Sequence, residues 1–138
     1  MPTATNKAIV RRYFEEVCDA GRLEIADELF TEDFGAPGGI RGPEAAKRAA
    51  RDLRDAFPDI RFEIDDLVAE GDRVVAKVTY SGTHRGSFFG IAPTGRRIRF
   101  TGVELAVLRE GRIAAEAWHV IDHADILRQL EGSPDTDH

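Results

Sequence analysis

Three stretches in the first half of the chain carry apolar residues at helical spacing. The first runs from Thr5, a possible N-cap, to Gly21, which stands where a C-cap glycine is expected. A shorter helix is predicted over residues 22–30, and a glycine-rich loop follows it. A third helix is predicted to begin at Pro43, because proline is tolerated in a first turn, and to end before Pro58.

Beyond Pro58 the apolar period changes to two. Ile60, Phe62 and Ile64 alternate with charged residues, which is typical of a strand with one covered face. The pattern predicts strands over residues 60–65, 74–81, 97–109 and 113–121, a long connection over 86–95, and a short helix or turn over 122–130. Three N-terminal helices followed by an antiparallel meander predict an α+β fold, in which the helices cover one face of a curved sheet.

Composition narrows the class of protein. The 138 residues, 42% of them hydrophobic and 32% charged, suit a single domain over residues 1–138, with an ordered core over about 5–130 and a polar C-terminal tail. A formal net charge of −6 argues against a nucleic-acid partner. The single cysteine excludes an intramolecular disulfide, and neither a signal peptide nor an apolar run of about 18 residues is present. We expect a cytoplasmic protein with no membrane partner.

The turn at Glu110-Gly111 sets a register that brings two polar residues to one face. A two-residue turn places Gly102 opposite His119 and Glu104 opposite Ala117, so that Glu104 and His119 are diagonal neighbours on an otherwise apolar surface. The same alternation places three other residues of this region on the opposite face: Glu116, Trp118 and Asp122.

A buried carboxyl beside an imidazole is either a structural pair or a working site, because burial of either group costs free energy unless it is paired. Small neighbours, Gly102 and Ala106 among them, leave the space that a substrate needs. The chain has no nucleophile, nucleotide-binding or metal-ligand motif, so we expect neither metal nor cofactor, and an enzyme would work by proton transfer. The histidines at 84, 123 and 138 are expected to serve backbone hydrogen bonding or to be solvated.

Two segments carry a resemblance to a known family. Residues 82–97, GTHRGSFFGIAPTGRR, and residues 122–130, DHADILRQL, resemble the signature of the SnoaL-like polyketide cyclase family. The resemblance implies a nuclear transport factor 2-like cone with a deep apolar pocket, and association into a homodimer or larger homo-oligomer. It also implies cofactor-free closure of a polyketide ring by intramolecular aldol chemistry, an ester cyclase type of reaction in secondary metabolism.

Residue by residue, the resemblance gives candidate roles. The acid/base aspartate of the family, on the last strand, matches His119, and a family glutamine on the preceding strand matches Glu104, whereas the family histidine two residues on is Ala106. His119 and Glu104 are therefore the candidate catalytic residues of a lyase or isomerase that acts on a hydrophobic, even polycyclic, carbonyl compound. The candidate substrate-binding residues are Tyr80, Phe14, Phe34, Phe57, Phe62, Phe100 and Gly102.

Other functions fit the same residues. A non-catalytic small-molecule-binding protein, or an accessory subunit of a hydroxylase, would use the pocket without turnover and leave His119 as a structural residue. An epoxide hydrolase or isomerase of the same fold would need a pair of carboxyl groups to activate water, and the predicted register supplies only Glu104.

Overall fold

A computed structural model describes residues 2–35 and 38–131. The predicted polar tail beyond residue 131 and the centre of the glycine-rich loop lie outside the described residues. The helices are α1 (Thr3–Arg12), α2 (Ala26–Leu29), α3 (Pro43–Ala56) and α4 (His123–Glu131). None of them is long and apolar enough to cross a membrane. The N-cap of the first helix is Pro2, three residues before the predicted N-cap Thr5.

The first helix continues beyond α1 as a π-helical segment over Tyr13–Asp19. The backbone N–H of Ala20 donates to the carbonyl of Glu15, five residues back, as in a π-helix. Gly21 then reverses the chain at a φ of 75°, a left-handed conformation that glycine adopts without strain. A single 3₁₀ turn, Leu23–Ile25, leads into α2.

The sheet has four antiparallel strands in sequence order: β1 (Arg61–Glu70), β2 (Arg73–Thr83), β3 (Arg97–Arg109) and β4 (Arg112–Ile121). One face, the inner face, carries the buried apolar side chains of β2, which are Val74, Ala76, Val78 and Tyr80. The helices pack on this face, and the apolar side chains between the two layers form the core. The predicted α+β class and the curved antiparallel sheet are confirmed.

The register between β3 and β4 differs from the prediction. The turn at Glu110-Gly111 forms as expected, both residues having positive φ. Two irregularities follow, between Leu105 and Ala106 and between Val107 and Leu108, and each adds one residue to β4. The predicted pairing of Gly102 with His119 is therefore wrong.

Beyond both irregularities Gly102 pairs with Ile121, and Glu104 pairs directly with His119 rather than with Ala117. Two added residues restore the original alternation, so Glu104 and His119 still share the inner face. Between the irregularities the alternation is reversed, and this moves Glu116, which pairs with Ala106, to the inner face. The prediction that Glu116 lies on the opposite face is also wrong.

The long connection between β2 and β3 is anchored by a buried histidine. His84 is fully buried, and its Nδ1 accepts the backbone N–H of Thr94 at 3.2 Å and lies 3.0 Å from the Thr94 hydroxyl. The backbone N–H and carbonyl of His84 bond to Arg96 and Gly95. His84 therefore closes the loop on itself, which agrees with its predicted structural role.

The opposite, outer face of the sheet carries an apolar row across all four strands. Val68 pairs with Val75, Val75 with Leu105, and Leu105 with Trp118. Trp118 lies on the outer face as predicted, and its side chain is 51% exposed. The row ends on both edge strands in exposed apolar side chains, since Val68 is 57% exposed.

Candidate active site

A cavity of about 110 Å³, the inner chamber, lies between the inner face of the sheet and the helices. The π-helical segment and α3 form one wall, and the sheet forms the other. The side chains that line it are Tyr13, Phe14, Cys18, Ala49, Ala50, Leu53, Phe62, Tyr80, Glu104, Glu116 and His119. The chamber is thus mostly apolar, with its carboxyl and imidazole groups gathered on β3 and β4.

Three of these groups form a compact polar cluster. Glu104, Glu116 and His119 each offer an oxygen or nitrogen atom within 4.8 Å of the other two. The Nδ1 atom of His119 lies 3.3 Å from Oε1 of Glu116. Glu104 is only 8% exposed, whereas the side chains of His119 and Glu116 are 38% and 34% exposed. The cluster therefore runs from a buried acid to an imidazole that solvent reaches.

Burial raises the pKa of Glu104 well above its usual value. The nearby carboxylate of Glu116 adds to the effect, because its negative charge and its hydrogen bond both favour a protonated Glu104. A carboxyl group that keeps its proton donates a hydrogen bond instead of carrying a charge. Glu104 therefore holds its proton to a higher pH than an exposed glutamate does.

Burial also raises the pKa of three other acidic groups that line the chamber, one thiol and two phenols. It keeps the thiol of Cys18 and the phenols of Tyr13 and Tyr80 neutral, and the negative charge of nearby carboxyl groups acts in the same direction. The apolar wall of the chamber thus carries uncharged groups that can donate hydrogen bonds.

The candidate substrate-binding residues lie at different positions relative to the inner chamber. Phe14, Phe62 and Tyr80 line the inner chamber. Phe57 and Phe100 lie behind Tyr80, where Phe100 stacks on the tyrosine ring at a centroid distance of 4.8 Å, and support the wall without lining it.

Gly102 lies beneath the ring of Tyr80. A Cβ atom there would stand 3.0 Å from Cε1 of Tyr80 and 3.1 Å from Cγ2 of Ile121. The space that glycine leaves is therefore filled by Tyr80, whereas the sequence analysis predicted open volume beside His119.

Phe34 lines a second cavity, the outer chamber, of about 310 Å³, together with Gly35, Ala115 and Glu116. This chamber opens to solvent, and the ring of Phe34 packs edge-on against Phe30 at 4.6 Å. Glu116 borders both chambers.

Sequence reasoning missed Glu116, Tyr13 and Cys18 as site residues. No feature of the sequence announces the irregularities that turn Glu116 inward. Tyr13 stands five residues before Cys18, which is the spacing that the hydrogen bonds of a π-helix join. That spacing was the available signal, but it does not show which face of the helix meets a cavity.

The cluster of Glu104, Glu116 and His119 also has the composition of a three-ligand divalent cation site, since imidazole and carboxylate groups are common ligands. The remaining histidines in the described part of the chain lie elsewhere. His84 anchors its loop, and His123 is exposed at the start of α4 with its ring 4.4 Å from that of Phe89.

Comparison with known proteins gives several similar chains. Aklanonic acid methyl ester cyclase DnrD of Streptomyces peucetius is 30% identical over 141 residues, which cover 95% of this chain and 93% of DnrD. The structure of TsrD from Streptomyces laurentii matches with a TM-score of 0.85 and 26% identity, over 94% of this chain and 97% of TsrD. AclR of Streptomyces galilaeus, named as a candidate hydroxylase, matches with a TM-score of 0.79 and 26% identity, over 97% of this chain and 85% of AclR.

The sequence profile of one family, the SnoaL-like polyketide cyclases, matches residues 8–130. This span contains all four strands of the sheet and the whole polar cluster. It also contains the helices, apart from the first turns of α1 and the last residue of α4. The fold, the profile and the relatives agree, and the chain therefore belongs to the SnoaL-like polyketide cyclase family.

Proposed function

We propose that the chain is a cofactor-independent, cyclase-like enzyme that moves a proton on a hydrophobic carbonyl compound. The observation that supports this most strongly is the cluster of Glu104, Glu116 and His119 at the edge of an apolar chamber. Formation of an enolate needs a base beside the carbon that loses its proton and a hydrogen-bond donor beside the carbonyl oxygen, and the cluster offers both. The names of the relatives, which are ester cyclases, support the same class of reaction.

His119 acts as the general base in this proposal. Its Nδ1 faces the carboxylate of Glu116, and this leaves Nε2 for the substrate. Glu116 therefore takes the orienting role that the sequence hypothesis gave to Glu104. A carboxylate beside the ring also stabilises the imidazolium that forms when His119 accepts a proton.

Glu104 acts as the oxyanion donor. Its raised pKa keeps the proton on the carboxyl group, so it donates a hydrogen bond to the carbonyl oxygen as negative charge develops there. The burial of Glu104 strengthens this bond, because a hydrogen bond is electrostatically stronger in surroundings of low dielectric constant.

The atoms of the reaction balance without a further reagent. His119 removes a proton from the carbon next to a carbonyl, and an enolate forms. The enolate carbon attacks a second carbonyl of the same molecule, one carbon–carbon bond forms, and the resulting alkoxide takes the proton back from His119. The product is an isomer of the substrate.

Aklanonic acid methyl ester is the first probe, since it is the compound in the names of the relatives. Loss of a positioned base lowers the rate by about 10² to 10⁴. We expect this loss in kcat for His119→Ala, measured by product formation, with little change in affinity. His123→Ala, which removes an exposed histidine outside the chambers, is the matched control and should retain the wild-type rate.

Two results would contradict this assignment. If His119→Ala turns the probe over within a few-fold of wild type, His119 is not the base. If a chelator abolishes turnover and a divalent cation restores it, the cluster works as a metal site and the cofactor-independent reaction is wrong. Binding that is lost together with stability in His119→Ala would favour the non-catalytic binder, in which the histidine is structural.

Epoxide opening is the second candidate function, and Glu116 favours it. The sequence hypothesis lacked a second carboxyl group, whereas the structure brings Glu116 and Glu104 together. A carboxylate and a carboxylic acid can activate a water molecule and protonate an epoxide oxygen. Incorporation of ¹⁸O from labelled water into a diol separates this reaction from ring closure, which incorporates none.

We propose as well that the chain works as one domain in the cytoplasm and as a homodimer or larger assembly. The apolar row on the outer face, from Val68 to Trp118, supports association, since exposed apolar surface of this kind is unusual on a monomer.

A further inference from the structure

We propose that the cluster of Glu104, Glu116 and His119 is also a binding site for Zn²⁺, and that the ion inhibits the enzyme by occupying the groups that carry out the reaction. The binding of the ion follows from the arrangement of the cluster itself. Its inhibitory effect rests on the proposed function, because it requires that His119 and Glu104 are the reacting groups. The inference adds a means of regulation to that function.

The two carboxyl groups of the cluster lie close together without a basic side chain beside them. Among the described residues, no lysine or arginine forms an ion pair with Glu104 or Glu116, and the imidazole of His119 supplies a positive charge only when it is protonated. Two carboxylates at this distance repel each other unless a proton or another cation lies between them. The pair therefore favours a cation that comes from outside the chain.

The spacing of the three groups fits a zinc ion. Zn²⁺ binds imidazole nitrogen and carboxylate oxygen atoms at about 2.0–2.2 Å, so the ligand atoms of a tetrahedral site stand about 3.4 Å apart. Nδ1 of His119 and Oε1 of Glu116 are already 3.3 Å apart. The ligand atom of Glu104 lies within 4.8 Å of both, and rotation of its carboxyl group about the soft χ3 torsion closes the remaining gap.

The types of ligand favour Zn²⁺ over Mg²⁺ and Ca²⁺. One imidazole and two carboxylates make a three-ligand set of the kind that zinc accepts, whereas Mg²⁺ and Ca²⁺ prefer oxygen ligands throughout. The two carboxylates carry a charge that a divalent ion neutralises, which matters most for the buried Glu104. The side chains of His119 and Glu116 are partly exposed, so an ion can enter from solvent.

Binding of the ion disables both reacting groups. The nitrogen that faces the carboxylate of Glu116 is Nδ1, so a metal on this atom leaves the ring proton on Nε2, the nitrogen that the proposed reaction uses as a base. A protonated Nε2 does not accept a proton from the substrate. Glu104 binds the ion as a carboxylate, because metal ligands are deprotonated, and it then has no proton to donate to the carbonyl oxygen.

Calorimetry with Zn²⁺ alone on the full chain tests the site, and one saturable binding event is expected. Loss of a ligand costs at least as much affinity as loss of an outer-shell partner, which is about 10-fold or more. We therefore expect Glu104→Gln, Glu116→Gln and His119→Ala each to weaken Zn²⁺ binding by about 10-fold or more. The matched controls are Glu24→Gln and His123→Ala, at exposed positions outside the cluster, which should keep the wild-type affinity.

Long-range ¹H–¹⁵N spectra of the wild-type protein decide the proposal even if a variant does not fold. Each of the four histidines gives its own ring signals, and these signals report which nitrogen carries the proton. Zn²⁺ should convert one ring, assigned to His119, to the form with the metal on Nδ1 and the proton on Nε2. Changes at other histidines in place of His119 would overturn the site.

Inhibition is measured with aklanonic acid methyl ester as the probe. Zn²⁺ at about ten times its Kd should raise the apparent KM by about 10-fold and leave kcat unchanged, because ion and substrate compete for the same groups. A chelator should restore the original KM, and Mg²⁺ at the same concentration should have no effect.

The outcomes separate the metal site from the reaction. If Zn²⁺ does not bind, or binds the three cluster variants as tightly as the wild type, the metal site is wrong and the proposed reaction still stands on its own test. If Zn²⁺ binds through the cluster and turnover is unchanged, the inhibition is wrong, and so is the assignment of His119 as the base.

Discussion

Glu104 shows how position turns an ordinary acid into a proton donor. It stands on the buried face of a central strand, and its neighbours are a carboxylate and aromatic rings. Water would stabilise the charged form of this group, and burial removes that stabilisation. The folded chain therefore holds a proton that the unfolded chain releases, and this difference makes stability depend on pH.

We predict that Glu104→Gln gains stability over the wild type as pH rises. The pKa of Glu104 is raised from 4.5, so between that pH and the raised pKa the folded protein binds more protons than the unfolded chain. The free energy of unfolding of the wild type carries a component that falls with pH in this window, and the variant lacks it. Urea unfolding between about pH 4 and about pH 8 measures the difference.

Glu24→Gln is the matched control, because Glu24 is exposed. Its stability relative to the wild type should stay flat over the same pH range. A difference between wild type and Glu104→Gln that does not change with pH would mean that Glu104 ionises as an exposed glutamate does, and it would remove the oxyanion donor from the mechanism.

At the scale of elements, β4 explains why two of the three residues of the polar cluster were predictable. Strand alternation placed Glu104 and His119 on one face, and the structure keeps them there, because two added residues cancel in their effect on alternation. Glu116 lies between the two irregularities, where only one of the two added residues has shifted the alternation. Its side chain therefore faces the side opposite to the predicted one. A bulge depends on how a strand fits its neighbours, and local sequence does not report that fit.

The helices, like β4, were only partly predictable from local sequence. Their periodicity was visible, and the bounds differ from the prediction by a few residues. Tyr13 and Cys18 reach the chamber because the helix is locally π-helical and lies against the sheet on that side. Periodicity identifies an apolar stripe, but it does not tell which part of the stripe meets packed core and which part meets a cavity.

The loop between β2 and β3 yields a second prediction. His84→Ala removes the acceptor of the Thr94 N–H and leaves a cavity beside Phe57, so we expect a loss of about 3 kcal/mol in the free energy of unfolding. Limited proteolysis should cut within residues 84–96 faster than in the wild type, since the loop loses its anchor.

Arg85→Ala is the control within the same loop. The side chain of Arg85 is exposed, and the bond that this residue makes to Ala56 uses only its backbone N–H. It should leave stability and cleavage close to wild type. Equal effects of the two substitutions would show that His84 is not the anchor.

At the scale of the whole molecule, the helices cover the inner face of the sheet and leave the apolar row on its outer face uncovered. The outer row through Val68, Leu105 and Trp118 has no partner within the described part of the chain. A second copy of the chain would supply a face of the same composition, as a two-fold interface requires.

We predict that Trp118→Lys dissociates the assembly. A lysine within an apolar interface would be buried without a partner, and a charge in that position weakens association strongly. Sedimentation equilibrium should show a wild-type dimer or larger species and a monomeric variant. Ile40→Lys changes an exposed apolar residue outside the sheet and should leave the assembly intact. A wild-type monomer at high concentration would exclude the interface.

The π-helical segment has a consequence for how such a pocket arises in evolution. A π-helical turn contains one residue more than the α-helical turn it replaces, so loss of a single codon within residues 13–19 would restore an ordinary helix. Every side chain on one side of the deletion would then rotate by about 100° relative to the other side. Tyr13 and Cys18 would no longer face the chamber together, and one insertion or deletion is thus enough to give a descendant of this chain a different pocket wall.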